Sequence, residues 1–520
     1  MAKKKIGWIS GQLLPIVVLG CAFCLSCATP EKPTRPNILF IAVDDLRPEL
    51  GCYGAEHVVS PNIDRLASEG FIFERAYCQS AVCNPSRASL MTGKRPDTLK
   101  VWDLSTDMRT VNPEVVTLGQ HLKTHGYHTV GIGKIFHNNN PDPATWSEPK
   151  LYIDGYPFDP DAVYRGDEGI RGQEEKKSRL LAQGQERIDQ FGHWYLKAQA
   201  TENVDVPDSA YFDGAQTDVA VVKLSELAQR DSPFFFAVGY YRPHLPFNAP
   251  QRYWDLYDRE QIPLASNPDL PEGIPLMAVN TVRELRGYTD FSDLVHPTEG
   301  SLDEDRARLL RHGYFASVSY IDAQIGKLLA ALDDLGLADN TIVILWGDHG
   351  WKLGDHNSWC KMTNLEIDAR VPLILRTPES SNRGVSSDAL VEFVDVYPTL
   401  CDLAGIPVPD DLEGTSFAPL IDNPSRQWKR AAFTQFLRDG IWISPDGVEY
   451  MGYSVRTDRY RYTEWENWET GEVVATELYD HHADPAESRN VSEDGRYSGV
   501  SDEMAAILEA GWVAAVPDPA

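Results

Sequence analysis

One stretch near the start of the chain limits what the protein can fold into. The segment Asn37 to Val43 is a continuous apolar run rich in branched side chains, and the acidic pair Asp44-Asp45 follows it directly. A strand that is apolar on both faces is typical of a parallel sheet covered by helices. The sequence therefore predicts an α/β fold with Asp44 and Asp45 at the carboxyl end of a buried strand.

Helical and strand patterns alternate through most of the chain. From about Glu304 to Leu335, apolar residues recur three and four positions apart, which predicts a helix with one buried stripe. Further helices are predicted at 60–70, 117–125, 210–229 and 394–404, and further strands at 127–132, 234–238 and 341–346. This alternation predicts a sandwich of helices around a mostly parallel central sheet.

Beyond residue 425 the pattern changes to short strands. These are predicted at 431–436, 453–457, 460–464 and 476–479, with a closing helix at 501–510. Because 520 residues are too many for one compact core, we predict a main domain at 36–425 and a small α+β subdomain with an antiparallel sheet at 426–520. Two polar insertions, at about 138–209 and 246–300, are predicted to be surface loops that border a site.

The N-terminus is typical of an export signal. Three lysines at positions 3–5 precede an apolar stretch from Leu13 to Leu25, which is shorter than a membrane span needs. We therefore predict a signal peptide at 1–27 and a tether at 28–35. Cleavage at Cys27 would give a lipoprotein, and ordinary signal-peptidase cleavage is the alternative. The expected location is the periplasm, the cell surface through a lipid anchor, or the medium.

Charge and cysteine usage restrict the class of ligand. The net charge of −29 excludes binding of nucleic acid through a basic face, and an anionic ligand must be held by local cations. Five cysteines lie beyond the signal: Cys52, Cys78, Cys83, Cys360 and Cys401. An odd number in an exported protein leaves at least one of them unpaired.

A second acidic cluster follows another predicted strand. Asp348-His349 comes just after the strand at 341–346, much as Asp44-Asp45 follows the first strand. An isolated acidic pair is more often a helix cap or a solvated turn. Two such clusters at equivalent strand ends favour one shared metal instead. Oxygen-rich ligation favours Ca²⁺ or Mg²⁺ over zinc, although His349 is unusual for such an ion.

A third segment carries the most specific pattern, Cys83-Asn-Pro-Ser-Arg-Ala-Ser-Leu-Met-Thr-Gly-Lys-Arg95. Pro85 is predicted to start a helix whose N-terminal amides face an anion, and Arg87 adds a bidentate donor. A buried free cysteine before a helix is the simpler interpretation. The whole motif, however, resembles the signature of type I sulfatases, in which a maturation enzyme oxidises the cysteine to formylglycine.

The resemblance to formylglycine-dependent sulfatases extends over nearly the whole mature chain. It is carried by the segments 36–45, 60–67, 347–356 and 477–490, and the segments 51–54, 242–244 and 348–351 are most similar to the iduronate-2-sulfatase branch. Gly347, Lys352 and Asn357-Ser358 depart from the expected pattern. The resemblance implies an alkaline-phosphatase-like sandwich.

The resemblance also implies the site residues and partners. Ca²⁺, with Mg²⁺ as the alternative, would be held by Asp44, Asp45, Cys83, Asp348 and His349. Arg87, Lys134 and Lys361 would stabilise the sulfate, His244 would protonate the leaving sugar oxygen, and His137 would act as the base when the covalent sulfate ester breaks down. The expected partners are a sulfated oligo- or polysaccharide and a formylglycine-generating or anaerobic sulfatase-maturating enzyme.

The resemblance implies a sulfatase that acts on a sulfated carbohydrate, and a 2-O-sulfated uronate or a related polysaccharide sulfate is the expected substrate. Two other functions stay open. A phosphatase or phosphodiesterase of the alkaline-phosphatase-like superfamily would share the sheet, but commonly uses two zinc ions and a Thr or Ser nucleophile. A lipoprotein that binds sulfated glycans without turnover would not need Cys83, His137 and His244 together.

Overall fold

The computed structural model describes residues 35–137, 140–151, 153, 163–185, 196–378, 382–440 and 443–517. The predicted signal peptide and nearly all of the predicted tether lie outside the described residues. No helix in the described part is long and apolar enough to cross a membrane. The five described cysteines are all free thiols.

A seven-stranded sheet forms the centre of the described structure. Its strands are β1 (Asn37–Val43), β2 (Phe71–Tyr77), β3 (His128–Gly133), β4 (Phe234–Tyr240), β5 (Thr341–Gly347), β6 (Arg370–Arg376) and β7 (Val385–Glu392). Their order across the sheet is β7-β2-β6-β5-β1-β4-β3. Strand β6 runs antiparallel to both of its neighbours, and the other neighbouring pairs are parallel. The predicted α/β fold with a mostly parallel sheet is confirmed.

Helices cover both faces of this sheet. The longer helices of the main body are α1 (Pro61–Glu69), α2 (Cys83–Thr92), α3 (Leu118–Thr124), α4 (Asp167–Ala182), α5 (Phe212–Leu227), α6 (Glu304–Asp334) and α7 (Val396–Leu403). Alternate residues of β1 face opposite cores: Leu39 and Ile41 pack with α1, α5 and α6, whereas Ile38 and Phe40 pack with α2, α3 and α7. Strand β1 is apolar throughout because neither of its faces meets water.

The strand register brings the acidic clusters together. Strand β1 lies between β4 and β5, and Val43 stands opposite Gly347 of β5 and Tyr240 of β4. Because these three strands are parallel, the residues that follow them leave the sheet side by side at one edge. Asp44 and Asp348 are therefore neighbours although they are far apart in sequence.

A second sheet lies toward the C-terminus. Its four antiparallel strands are β8 (Ala432–Arg438), β9 (Tyr450–Arg456), β10 (Tyr460–Asn467) and β11 (Val473–Asp480), in that order, and α8 (Ser498–Ala510) packs on one face. The antiparallel sheet and its helix agree with the sequence. The domain boundary at 425/426 stays a prediction, because the described residues on both sides of it belong to one compact unit.

Three strands of the main sheet, β2, β6 and β7, were not recognised in the sequence. Strand β6 contains Pro372, and proline is rare in central strands because it has no N–H to donate. The structure places Pro372 at a register shift between Val371 and Leu373, where a bulge removes the need for that donor. Because the strand is interrupted at this bulge, its residues do not show the continuous pattern from which a strand is predicted.

The prediction that both insertions are surface loops was wrong in part. The first insertion contains the 16-residue helix α4. The second places Leu285, Tyr288 and Phe291 in the main hydrophobic core. These apolar residues recur three positions apart, but they lie on two short helical turns, Arg283–Arg286 and Thr289–Phe291, and neither turn is long enough to be predicted as a helix.

The second sheet is joined to the main body by a buried ion cluster. Arg461 of β10 is fully buried and donates to Glu366 at 2.6 Å and to Glu487 at 2.9 Å. Burial acts to raise the pKa of Glu366, but Arg461 and then Arg456 outweigh it and hold that pKa below its ordinary value. This cluster therefore stabilises the fold at pH values above the ordinary carboxyl pKa.

We predict that Arg461→Ala lowers the free energy of unfolding by about 3–5 kcal/mol at pH 7, because buried Glu487 and partly buried Glu366 lose the guanidinium that joins them. The deficit should shrink as the pH falls toward 4, since the carboxylates are then protonated. Urea unfolding of parent and variant at several pH values measures this. The matched control is Arg459→Ala, whose more exposed pair with Asp480 is screened by solvent and should contribute much less. Equal losses in the two variants would contradict the prediction.

Candidate active site

Three carboxylates and one imidazole lie at the carboxyl edge of the sheet. Asp44, Asp45, Asp348 and His349 have no solvent-exposed surface. The backbone holds them in register: the Asp348 N–H donates to the Val43 carbonyl at 3.2 Å, and the Asp45 N–H donates to Asp348 Oδ1 at 3.0 Å. Both acidic clusters predicted from sequence thus meet in one place.

Cys83 stands against this cluster at the start of α2. Its Sγ lies 3.6 Å from Asp44 Oδ1, 3.3 Å from His349 Nε2 and 3.4 Å from Lys134 Nζ. The helix begins at Cys83 rather than at Pro85 as predicted. Proline is tolerated there because the first-turn N–H groups have no partner inside the helix.

The donor set fits a hard divalent cation. Asp44, Asp45, Cys83 and His349 each offer one ligand atom, and these atoms lie within 4.8 Å of one another. Asp348, the fifth predicted ligand, is adjacent, with Oδ1 3.5 Å from His349 Nε2. Three carboxylates around one imidazole favour Ca²⁺ or Mg²⁺ by the preference of these ions for oxygen.

The orientation of His349 suits binding of a cation through Nε2. Its Nδ1 lies 3.0 Å from the Gly350 carbonyl, which can only accept, so Nδ1 carries the hydrogen. In the neutral ring, Nε2 then presents its lone pair to Asp45 Oδ1 at 3.4 Å and to Asp348 Oδ1 at 3.5 Å. Acceptors that face one another are stable only with a proton or a cation between them.

The pKa values of the acidic pair diverge. Burial raises the pKa of Asp45 well above its ordinary value; Lys361 opposes this shift and the charge of Asp44 adds to it. Burial acts in the same direction on Asp44, but Lys134, followed by His244 and Arg87, outweighs it and leaves the pKa of Asp44 well below its ordinary value. The two neighbours are therefore not both ionised unless a further cation joins them.

Arg87 holds the carboxylates and a neighbouring loop in place. Its Nε donates to Asp348 Oδ2 at 2.8 Å and its Nη2 to Asp44 Oδ1 at 3.2 Å. Nη1 donates to the backbone carbonyls of Lys134 and Ile135. Arg87 therefore binds two of the candidate metal ligands, Asp348 and Asp44. Direct contact between Arg87 and a sulfate stays a prediction.

Two buried lysines supply positive charge beside Cys83. Lys134 Nζ donates to the Asp44 carboxylate and lies near the Cys83 thiol. Lys361 Nζ lies 2.9 Å from Asp45 Oδ1 and sits over the ring of Trp351, 4.8 Å from its centroid. Both lysines were candidates from sequence, and the structure brings both to the acidic cluster.

Glu284 is a site residue that the sequence did not reveal. It lies in the short helix Arg283–Arg286 of the second insertion, with Oε1 3.0 Å from His244 Nε2 and Oε2 3.2 Å from Lys361 Nζ. Burial acts to raise its pKa, but Lys361 and then His244 hold it well below the ordinary value. Glu284 is therefore an anion that joins the two predicted site residues, and no local motif marks it.

His137 lies farther along the same loop as Lys134. Burial, and then the charge of Lys134, lower its pKa well below the ordinary value. Its buried Nδ1 has no hydrogen-bond partner among the described atoms. No hydrogen bond joins His137 to Cys83 in the described residues, so that its role as a base stays a prediction.

The chain is similar to known proteins over most of its length. Residues 36–406 match the family model described as Sulfatase. Residues 354–512 match the model described as N-sulphoglucosamine sulphohydrolase, C-terminal. Iduronate 2-sulfatase of Mus musculus is 36% identical over 562 residues, a match that covers 94% of this chain and 97% of the mouse protein.

Solved structures share the fold at lower identity. A protein in complex with its substrate D-glucosamine-2-N,6-O-disulfate has a TM-score of 0.70 and 24% identity, covering 92% of this chain and 97% of its own. Phosphonate monoester hydrolase from Silicibacter pomeroyi has a TM-score of 0.69 and 22% identity, covering 93% and 96%. At these identities the likeness concerns the fold alone.

We predict that the protein binds Ca²⁺ or Mg²⁺ and is stabilised by it. The metal is first removed with a chelator. Adding back free ion at about 100 times its dissociation constant should then raise the free energy of unfolding by about 2.7 kcal/mol. Thermal denaturation with and without added ion measures this. Asp45→Asn should lose the response, and Asp322→Asn, a buried carboxylate on α6, should keep it. An unchanged midpoint in the parent would exclude the metal site.

Proposed function

Because the chain belongs to the sulfatase family, we propose that it hydrolyses sulfate esters of a sulfated carbohydrate, with a 2-O-sulfated uronate as substrate and formylglycine made from Cys83 as nucleophile. The observation that carries this proposal is the position of Cys83 between Asp44 and His349, with Lys134 beside it. The alternatives of a phosphatase and of a non-catalytic glycan-binding lipoprotein are not favoured, because the chain matches the Sulfatase family model and is 36% identical to an iduronate 2-sulfatase.

The unmodified Cys83 thiol is poorly suited to act as the nucleophile. Burial, and then the charge of Asp44, raise the pKa of Cys83 to about 12. A thiol with this pKa is protonated at neutral pH and is a poor nucleophile. Hydrated formylglycine would supply one hydroxyl for attack on sulfur and a second for release of sulfate. A divalent ion held by Asp44, Asp45, Asp348 and His349 would lower the pKa of the attacking hydroxyl.

The lysines meet the electrostatic requirement of the substrate. A protein with a net charge of −29 repels a sulfated sugar at long range, so that positive charge must be placed locally. Lys134 and Lys361 are held rigidly by Asp44 and Asp45, and flank the position where a sulfate would meet residue 83. Fixed cations stabilise developing negative charge without reorganisation during the reaction.

His244 has the hydrogen-bonding pattern of an acid. Its Nδ1 lies 2.7 Å from the Leu245 carbonyl, and its Nε2 lies 3.0 Å from Glu284 Oε1. Both contacts are satisfied together only by the doubly protonated ring when Glu284 is ionised, and this is the form that would act as an acid. Burial, and then Lys361, lower its pKa, which makes this proton easier to give to a sugar oxygen.

The remaining partners and the location are proposed on sequence grounds. A formylglycine-generating or anaerobic sulfatase-maturating enzyme would convert Cys83 within the Cys-x-Pro-Ser-Arg motif. The basic and apolar N-terminus supports export, with Cys27 as the lipid-anchoring residue or with secretion as the alternative. The similarity to iduronate 2-sulfatase supports a 2-O-sulfated uronate as substrate.

We predict that Cys83→Ser lowers kcat by about 10⁴-fold or more, because serine offers no second hydroxyl for release of sulfate. Circular dichroism should show an unchanged fold, and Cys401→Ala, a buried cysteine of α7, should keep activity. Mass spectrometry of the Cys83 peptide from active parent enzyme should show the aldehyde. Complete alkylation of Cys83 in fully active enzyme would contradict the mechanism.

We predict that His244→Ala lowers kcat about 100- to 1000-fold on a sugar sulfate, whose alkoxide needs a proton to leave. The effect on an aryl sulfate should be much smaller, because a phenolate leaves unaided. Glu284→Gln should show the same dependence on the leaving group to a lesser degree, and exposed Glu260→Gln should behave as the parent. Equal losses on both substrates would exclude His244 as the acid.

A further inference from the structure

A loop of the main body borders the candidate active site. The side-chain amide of Asn84, the residue after Cys83, donates to the Asp103 carbonyl at 2.8 Å and to the Thr106 carbonyl at 2.9 Å. Leu104 packs against a small cluster that contains Val82 and Met362. The loop therefore lies between the segment that carries Cys83 and the segment that carries Lys361.

This loop is rigid. The Asp103 carboxylate accepts hydrogen bonds from the Thr106 N–H at 2.7 Å, from Thr106 Oγ1 at 2.6 Å and from Ser105 Oγ at 2.7 Å. Asn140 adds a further bond to the Thr106 carbonyl at 3.0 Å. A side chain that projects from this loop is thus held at a fixed position relative to residue 83.

Trp102 projects from the start of this loop and meets Trp468 of the second sheet. The ring centroids are 5.2 Å apart and the planes lie at 71°, an edge-to-face pair. The Trp102 Nε1–H donates to Asp97 Oδ1 at 2.7 Å, which fixes the ring. Trp468 follows β10, its N–H donates to the Glu449 carbonyl at 3.0 Å, and 37% of its surface is exposed.

A cation accompanies this aromatic pair. Lys100 is exposed, and its Nζ lies 5.7 Å from the centroid of the Trp102 ring. No carboxylate of the described residues forms an ion pair with it. Indole combines an apolar face with a polar N–H, and two indoles beside an ammonium that forms no ion pair in the described part of the chain suit a ring that carries negative charge.

We propose that Trp102, Trp468 and Lys100 form a binding subsite for a second, anionic sugar ring of the substrate, next to the ring whose sulfate is cleaved. The pyranose face packs on the indole of Trp468, Trp102 supports that indole, and Lys100 pairs with a carboxylate or sulfate on the second ring. The inference rests on the proposed function, since it assigns the neighbouring unit of the same carbohydrate.

The test compares a 2-O-sulfated uronate monosaccharide with a disaccharide that carries an anionic second ring. Trp468→Ala should raise KM about 5-fold for the disaccharide and leave KM for the monosaccharide and both kcat values unchanged. Lys100→Gln should raise KM for the disaccharide in the same way, and the effect should disappear at high salt. Trp468→Phe should keep most of the parent affinity.

The matched control is Tyr460→Ala, an aromatic residue at the other end of β10 that also contacts a cation, Arg459 at 4.9 Å. It should leave both KM values unchanged. Equal KM changes on both substrates, no change with either variant, or an effect of Trp468→Ala alone would overturn the anionic subsite. A change of oligomeric state in Trp468→Ala would assign this face to contact between copies of the chain and also overturn it.

Failure of the proposed subsite can be distinguished from failure of the proposed function. If the parent releases sulfate from the monosaccharide, the function stands whatever the variants do. If the parent releases sulfate from neither sugar, the proposed function fails at the parent enzyme. An active parent whose preference for the disaccharide is untouched by Trp468→Ala overturns only the subsite.

Discussion

Negative charge concentrated at one edge of the sheet determines how the rest of the site is built. Strands β1 and β5 are parallel neighbours, so that Asp44, Asp45 and Asp348 enter the same water-free space. An isolated buried carboxylate costs several kcal/mol unless opposite charge compensates it. The surrounding cations, and the space for a divalent ion, are consequences of this placement.

The cations that compensate the buried carboxylates are the ones that would face the substrate in the proposed function. Arg87 donates to carboxylates and backbone carbonyls, and so fixes the ligand cluster. Lys134 and Lys361 each hold one carboxylate and also border the position of residue 83. An anionic ester at this position meets positive charge that is already ordered, which compensates for the repulsion expected from the acidic surface.

Segments outside the regular core complete the site. Glu284 comes from the second insertion and joins His244 to Lys361. Trp102 and Trp468 come from a loop of the main body and from the second sheet. In the proposed function, strand ends would therefore place most of the reacting groups, whereas the contacts that would select a particular sugar come from loops of the main body and next to the C-terminal sheet.

The sequence by itself determined the α/β class, most helices and strands, and the identity of the acidic clusters, the cysteine motif and the two lysines. These features are local: apolar periodicity, strand-end polarity and a contiguous motif. It did not reveal β6 with its proline, the burial of Leu285 and Tyr288, or Glu284. Only the tertiary structure decided these, because a bulge, the burial of two short helical turns and an ion pair between distant segments depend on contacts across the fold that no local sequence pattern specifies.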